Sequence, residues 1–278
     1  MKHLDVVIVG AGFSGLYLMH RCLKANRTAV VLEQGSDVGG TWYWNRYPGA
    51  RCDAESLAYS FSFSSELEQE WTWSERYAPQ PEILDYARHV ADRFGIRPHI
   101  RFNTRVTGAE WNGDDARWTV TTELGESYSG RHCVMATGCL SVPQLPDIEG
   151  LDSFEGARYQ ASRWPHEPVS FKGQRVGIIG TGSSGIQSIP VIAAEAEHLT
   201  VFQRTPNFSV PAKNSSLDNA WVAAFKANYA AHRHNHRIGN GSGFGDLDIE
   251  PKATVEAPTL FDEVTESEAH ALLEAAWQ

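Results

Sequence analysis

Leu4-Asp-Val-Val-Ile-Val-Gly-Ala-Gly-Phe-Ser-Gly15 is the stretch on which the fold turns. Leu4 to Val9 is a short apolar run rich in β-branched residues, which predicts a buried parallel strand. Gly10, Gly12 and Gly15 follow in the spacing G-x-G-x-x-G, and Leu16 to Leu23 continues as an apolar helix. Thr28 to Glu33 predicts a second buried strand, which closes a βαβ unit. Each glycine has a task in such a unit. Gly10 makes the tight turn, Gly12 lets the backbone approach a pyrophosphate, and Gly15 lets helix and strand pack closely. The helix N-terminus then offers N–H groups and a positive dipole end to phosphate.

The second half repeats the opening. Arg175 to Ile179 reads as a strand, Gly180-Thr-Gly-Ser-Ser-Gly185 as a turn, Ile186 to Ala196 as a helix, and Leu199 to Arg204 as a further strand. Gly180, Gly182 and Gly185 take the same three tasks. The residues ending the two second strands differ in charge. Glu33 is suited to accept hydrogen bonds from ribose hydroxyls and would repel a 2′-phosphate. Arg204, with Thr205 beside it, is read as the equivalent place in the second copy, where a guanidinium favours that phosphate. The first unit is therefore expected to hold FAD or NAD, and the second NADP. Both sites in one chain imply electron flow from NADPH to a flavin.

Between the copies lies a loop heavy in glycine and aromatics, Gly39 to Pro48. Pro81 to Phe94 has helical apolar spacing, and three segments near 105–111, 117–123 and 131–136 suggest a small antiparallel meander. Ala136-Thr-Gly138, at the end of that meander, fits where a chain returns past a flavin. Ser141 to Gly150, punctuated by proline and glycine, is the expected domain boundary. Beyond Pro211 the pattern predicts a helix near 217–231, a glycine-rich loop at 239–245 and a helix from about 265 to the last residue.

Composition narrows the field. The 278 residues are 42% hydrophobic and 21% charged, which is ordinary globular usage and excludes intrinsic disorder. A net charge of −10 argues against a nucleic-acid or anionic-membrane surface. Cys22, Cys52, Cys133 and Cys139 show neither metal spacing nor a redox Cys-x-x-Cys pair, so no metal is expected and the thiols read as reduced and cytoplasmic. His232, His234 and His236 alternate, which on a helix points them to different sides, and they read as a solvated polar stretch. No run of 18 apolar residues exists to span a membrane, and a strand starting by Leu4 leaves no room for a signal peptide.

Two further motifs carry a resemblance. Phe154-x-Gly156-x-x-x-Gln160-x-x-x-Trp164-Pro165 resembles the fingerprint F-x-G-x-x-x-H-x-x-x-W-P of the Baeyer–Villiger monooxygenases, a family of class B flavoproteins. Gly39-Gly-Thr-Trp-Tyr-Trp-Asn-Arg-Tyr-Pro-Gly-Ala-Arg-Cys-Asp53 matches the same family closely over a long stretch. The resemblance covers the chain to about residue 211 and more loosely beyond.

It implies an α/β protein with two Rossmann-like units, FAD then NADP, the first carrying the meander. The expected domains are residues 1–145 for FAD and 146–278 for an incomplete NADP domain. Asp53 matches an aspartate near the flavin that orients a catalytic arginine, itself expected beyond residue 278. Gly40, Thr41, Trp42, Tyr59 and Val106 match flavin-contact positions, and Arg51 and Cys52 line the nicotinamide side. Thr181, Ser183, Ser184 and Gln187 match the NADP phosphate turn. The implied activity is oxygenation of a ketone by NADPH and O₂ through a C4a-peroxyflavin, giving an ester or lactone. The related N- and S-oxygenating enzymes are one alternative, and a non-catalytic nucleotide-binding protein or partner subunit is another. Two departures stand out. Gln160 replaces the fingerprint histidine and cannot become cationic. Members of the family are also substantially longer, and Glu274 to Gln278 reads as mid-helix, so the chain is expected to be truncated and inactive alone.

Overall fold

The computed structural model describes residues 3–207, 209 and 212–239, together with positions 265, 267, 268 and 271. In chain order its elements are β1 (His3–Val9), α1 (Phe13–Lys24), β2 (Ala29–Leu32), α2 (Thr41–Trp44), α3 (Ser65–Glu70), α4 (Gln80–Arg93), β3 (Ile100–Arg101), β4 (Val106–Asn112), β5 (Arg117–Thr122), β6 (Ser127–Met135), β7 (Arg175–Ile179), α5 (Ser183–Ala193), β8 (His198–Phe202), α6 (Asn219–Ala227) and α7 (Tyr229–Gly239). The glycine-rich loop at 239–245 and the C-terminal helix expected from the sequence lie almost wholly outside the described residues.

The chain forms two compact units. One comprises Met1–Arg51 with Pro79–Thr205, and the other Cys52–Ala78 with Pro206–Gln278. Both glycine turns fall in the first, so the proline-rich stretch at 141–150 joins two parts of one unit.

The first unit is built on a mixed six-stranded sheet in the order β3-β2-β1-β6-β5-β4. β1 lies between two parallel partners, with Val9 opposite Leu32 on one side and Met135 on the other. Val7, Ile8 and Val31 are fully buried there, as an apolar run covered on both faces requires. α1 lays Leu16, Met19 and Cys22 inward, one helical face closing one side. α4 opens with a proline in its first turn, where the missing N–H costs nothing, and buries Ile83, Leu84, Ala87, Val90 and Ala91.

The antiparallel meander is present as β4-β5-β6, but it is continuous with the parallel sheet. β6 serves both, pairing antiparallel with β5 through residues 127–130 and parallel with β1 through residues 129–135. Its start at Ser127 precedes the expected 131 because Ser127, Ser129 and Gly130 are small residues that read as loop, although Tyr128 between them packs on the core. Downstream, β7 and β8 pair in parallel as a two-stranded sheet, with α5 between them.

In the second unit, α3 is capped by Ser64, whose hydroxyl accepts from the Leu67 N–H at 3.2 Å. The single helix expected near 217–231 is two, α6 and α7, broken at Asn228. The Tyr229 hydroxyl donates to Leu57 O, and the Arg233 guanidinium donates to Glu68 Oε1 at 2.7 Å and to the Ser60 hydroxyl at 2.8 Å. His232 stacks on Phe225 with ring centroids 4.3 Å apart. No described helix is long and apolar enough to cross a membrane.

Candidate functional site

Gly10 leaves β1 at φ +104°, a backbone conformation that L side chains rarely adopt, while its N–H donates to Leu32 O at 2.8 Å. A Cβ on Gly10 would lie 2.6 Å from Ala136 O, so Ala136-Thr-Gly138 passes directly over the turn. At Gly15 a Cβ would fall 1.9 Å from Gly10 O, which seals the turn to the helix. Gly12 faces Gly40, backbone to backbone: a Cβ on Gly40 would lie 2.8 Å from Gly12 Cα. No side chain caps α1 at Gly12. The result is a cradle of bare backbone at a helix N-terminus, suited to a pyrophosphate.

Glu33, one residue past β2, is 5% exposed. Its Oε2 accepts from the Ala11 N–H at 2.6 Å and its Oε1 from the Gly35 N–H at 2.7 Å. A carboxylate oxygen accepts more than one hydrogen bond, so this arrangement holds the group at the turn with capacity left for hydroxyl donors. Thr41 and Trp42 open α2 just after Gly40; Trp42 is buried and its carbonyl accepts from the Gln80 amide. Val106 starts β4, packed on the cluster Val7, Val30, Leu32 and Val120. Cys52, Asp53 and Tyr59 belong to the second compact unit. There Cys52 is buried, which pushes its thiol up to about 11, and the Ala54 N–H donates to its Sγ at 3.4 Å. Asp53 is exposed.

The second turn repeats the geometry with one difference. Gly180 has φ +101°, its N–H donates to Phe202 O at 2.9 Å, and a Cβ on Gly185 would meet Gly180 O at 2.5 Å. Around Gly180 and Gly182, however, a Cβ would meet nothing within 4 Å. α5 then carries Ser183 and Ser184 in its first turn, with no side-chain cap at Gly182.

The register revises the assignment made from charge. Val9 pairs with Leu32, and Ile179 with Phe202, so the counterpart of Glu33 is Gln203 and not Arg204. Arg204 and Thr205 follow it, both exposed. Gln203 donates from Nε2 to Thr181 Oγ1 at 2.9 Å, just as Glu33 bonds Ala11 in the first copy. Equal spacing from the first glycine of each turn is the signal that would have found Gln203.

Gln187, on α5, ties this turn to the 47–51 loop. Its Oε1 accepts from the Tyr47 hydroxyl at 2.9 Å and from the Arg51 N–H at 3.3 Å, while Nε2 donates to Arg51 O at 3.1 Å. A Cβ on Gly49 would lie 2.2 Å from Gln187 O, so the 47–51 loop touches α5 backbone to backbone. The Gln187 amide thus fixes the backbone of Arg51 at both its N–H and its carbonyl.

Comparison with known sequences and structures bears on this geometry. Residues 7–239 match the family described as pyridine nucleotide-disulphide oxidoreductase. The chain is 41% identical over 275 residues to a Baeyer–Villiger monooxygenase of Pseudooceanicola batsensis, covering 99% of this chain and 49% of that protein. It is 42% identical over 228 residues to a phenazine N-monooxygenase of Lysobacter antibioticus, covering 82% and 42%. Among solved structures, an oxidized steroid monooxygenase bound to NADP aligns with a TM-score of 0.87 at 52% identity, covering 99% of this chain and 51% of that one. The chain belongs to the Baeyer–Villiger, or class B, flavin monooxygenase family. It corresponds to the N-terminal portion, spanning about half the length of the curated relatives it matches.

In this Baeyer–Villiger chain the fingerprint precedes β7. The Phe154 ring lies where a Cβ on Gly156 would stand, 2.6 Å away, so the glycine makes room for the ring. Gln160, in the histidine position, donates from Nε2 to Gln144 O at 2.8 Å. Trp164, followed by Pro165, packs its ring 5.3 Å from Tyr159 and 6.1 Å from Phe171.

Proposed function

We propose that the complete protein is an FAD- and NADPH-dependent monooxygenase that converts ketones to esters or lactones using O₂. The observation carrying this reading is the pair of glycine turns in one compact unit, one ending on buried Glu33 and the other on Gln203-Arg204-Thr205.

The first turn suits FAD. Gly10, Gly12 and Gly40 leave backbone open to a pyrophosphate, and the fixed Glu33 carboxylate would accept ribose hydroxyls. Thr41, Trp42, Tyr59 and Val106 are assigned to the flavin by resemblance. The second turn suits NADPH, with Gly180, Gly182, Gly185, Thr181, Ser183 and Ser184 at the phosphates and Arg204 and Thr205 toward the 2′-phosphate. Arg51, held through both its N–H and carbonyl by Gln187, is assigned with Cys52 to the nicotinamide side. When bound, the nicotinamide supplies a hydride and the flavin carries oxygen to the substrate. Asp53 is this chain's candidate catalytic carboxylate, orienting a cationic partner.

A second reading, N-oxygenation, is favoured by the phenazine N-monooxygenase at 42% identity, close to the 41% of the Baeyer–Villiger relative. The test is NADPH oxidation by the full-length flavoprotein, offered a cyclic ketone or a heteroaromatic amine, with product mass read in parallel. Ketone-dependent oxidation with a product heavier by one oxygen atom is the expected result. Inert ketones beside a turned-over amine select N-oxygenation, and no flavin bound removes both.

A further inference from the structure

The two glycine turns form an internal comparison, because one chain solves the same geometry twice. In each copy the first residue past the second strand reaches back to the residue after the first glycine. In the first copy Glu33 accepts from the Ala11 N–H; in the second Gln203 donates to the Thr181 hydroxyl. Backbone registers coincide, with Gly10 N–H on Leu32 O and Gly180 N–H on Phe202 O. The side chains at this shared place are near-isosteric and differ by one full charge.

That difference has a chemical consequence. A carboxylate here accepts a ribose 2′-hydroxyl and opposes a 2′-phosphate. A carboxamide carries no charge and has two N–H donors. One of Gln203's goes to Thr181 Oγ1, which fixes the amide at the turn, and the other can donate to a phosphate oxygen. Arg204 and Thr205 sit beside it, exposed, where the attraction of a lone guanidinium is weakened by water and salt. Selection then rests on two terms, the attraction of Arg204 and the missing repulsion at residue 203.

We propose that Gln203, held by Thr181, is a specificity-determining residue for NADPH over NADH, acting by withholding the carboxylate that the first turn carries at the same place. The proposal rests on the reading that the second turn binds NADP.

The test measures dissociation constants of NADP⁺ and NAD⁺ by calorimetry on the full-length flavoprotein and on its Gln203→Glu and Gln203→Ala variants. Gln203→Glu is expected to weaken NADP⁺ by about tenfold or more while NAD⁺ holds or tightens. Gln203→Ala loses the Thr181 bond without adding charge and is expected to move the NADP⁺/NAD⁺ ratio by about threefold or less. High salt shrinks the Gln203→Glu penalty, a response that a purely structural lesion would not give. Flavin content, which reports the first site, stays at the wild-type level in both variants. An unchanged nucleotide ratio in Gln203→Glu, with the wild type still preferring NADP⁺, overturns this inference alone. Equal loss of both nucleotides in both variants overturns it too, since Gln203 would then be a packing residue. A wild type that binds neither nucleotide overturns the parent reading along with it.

Discussion

Cys52 shows how a residue's surroundings govern its chemistry. The proposed function assigns this thiol to the nicotinamide side, and burial pushes it up to about 11, against an ordinary value of 9.0. Burial therefore disfavours the thiolate, the nucleophilic form of the side chain. Iodoacetamide labelling of the folded protein at pH 8 should leave Cys52 unmodified by peptide mass, and labelling should follow only unfolding or strong alkali. Because the folded value is raised, the thiol's contribution to stability is complete below pH 9 and is lost as pH climbs toward 11. Modification at pH 8 at the rate of a free thiol would contradict the buried placement. The place of Glu33 at the first turn, by contrast, is legible from sequence, since it ends the strand that follows the turn's helix. Gln203 is not, because the charged residue of that segment, Arg204, stands one position further on.

Elements were legible where glycines punctuate them. β1, α1, β7 and α5 follow from the two turns, and β7 runs over Arg175–Ile179 as the sequence indicates. What escaped lacks a periodic signal. β3 is two residues long, α3 is Ser-Glu-Leu-Glu-Gln-Glu with a single buried side chain, and β6 begins in a tetrapeptide of two serines and a glycine around one tyrosine. Those elements exist through tertiary pairing and capping, which no local pattern announces. Within the first turn the glycines separate into two kinds. A Cβ on Gly12 would lie 3.5 Å from Gly40 Cα, an ordinary contact, whereas one on Gly15 would lie 1.9 Å from a backbone oxygen. Gly12→Ala should thus fold, with thermal unfolding close to wild type, and lose bound flavin. Gly15→Ala should yield little soluble protein. Retained flavin in Gly12→Ala would remove that glycine from the pyrophosphate site.

For the molecule as a whole, the exposed apolar surface is informative. Ile179 is 69% exposed and Phe202 56%, both on the two-stranded sheet, and Met135 at the end of β6 and Leu140, Val142 and Leu145 after it are exposed. A settled monomer rarely leaves so many large apolar side chains in water. The 278-residue chain expressed by itself should bind the dye ANS strongly, and a full-length protein much less, by fluorescence at equal concentration. Equal dye binding would show that these side chains stay exposed in both. The sequence hints at this through its close likeness to a longer family, but sequence alone cannot weigh exposure, since Leu199 to Arg204 reads as a strand whether its faces are covered or open.

The double duty of β6 also bears on how the protein is made. β1 leaves the ribosome shortly before β2 and pairs with it early, but its other edge pairs His3 with Ser129 and Val9 with Met135. At roughly 5–20 residues per second, that partner arrives about 6–25 s later. For those seconds an apolar strand edge, Val6 to Val9, waits with its N–H and C=O groups unpaired, open to pairing with another nascent chain. The growing polypeptide is thus most prone to aggregation before the meander is translated, and a pause in translation anywhere between α1 and β6 lengthens that exposure.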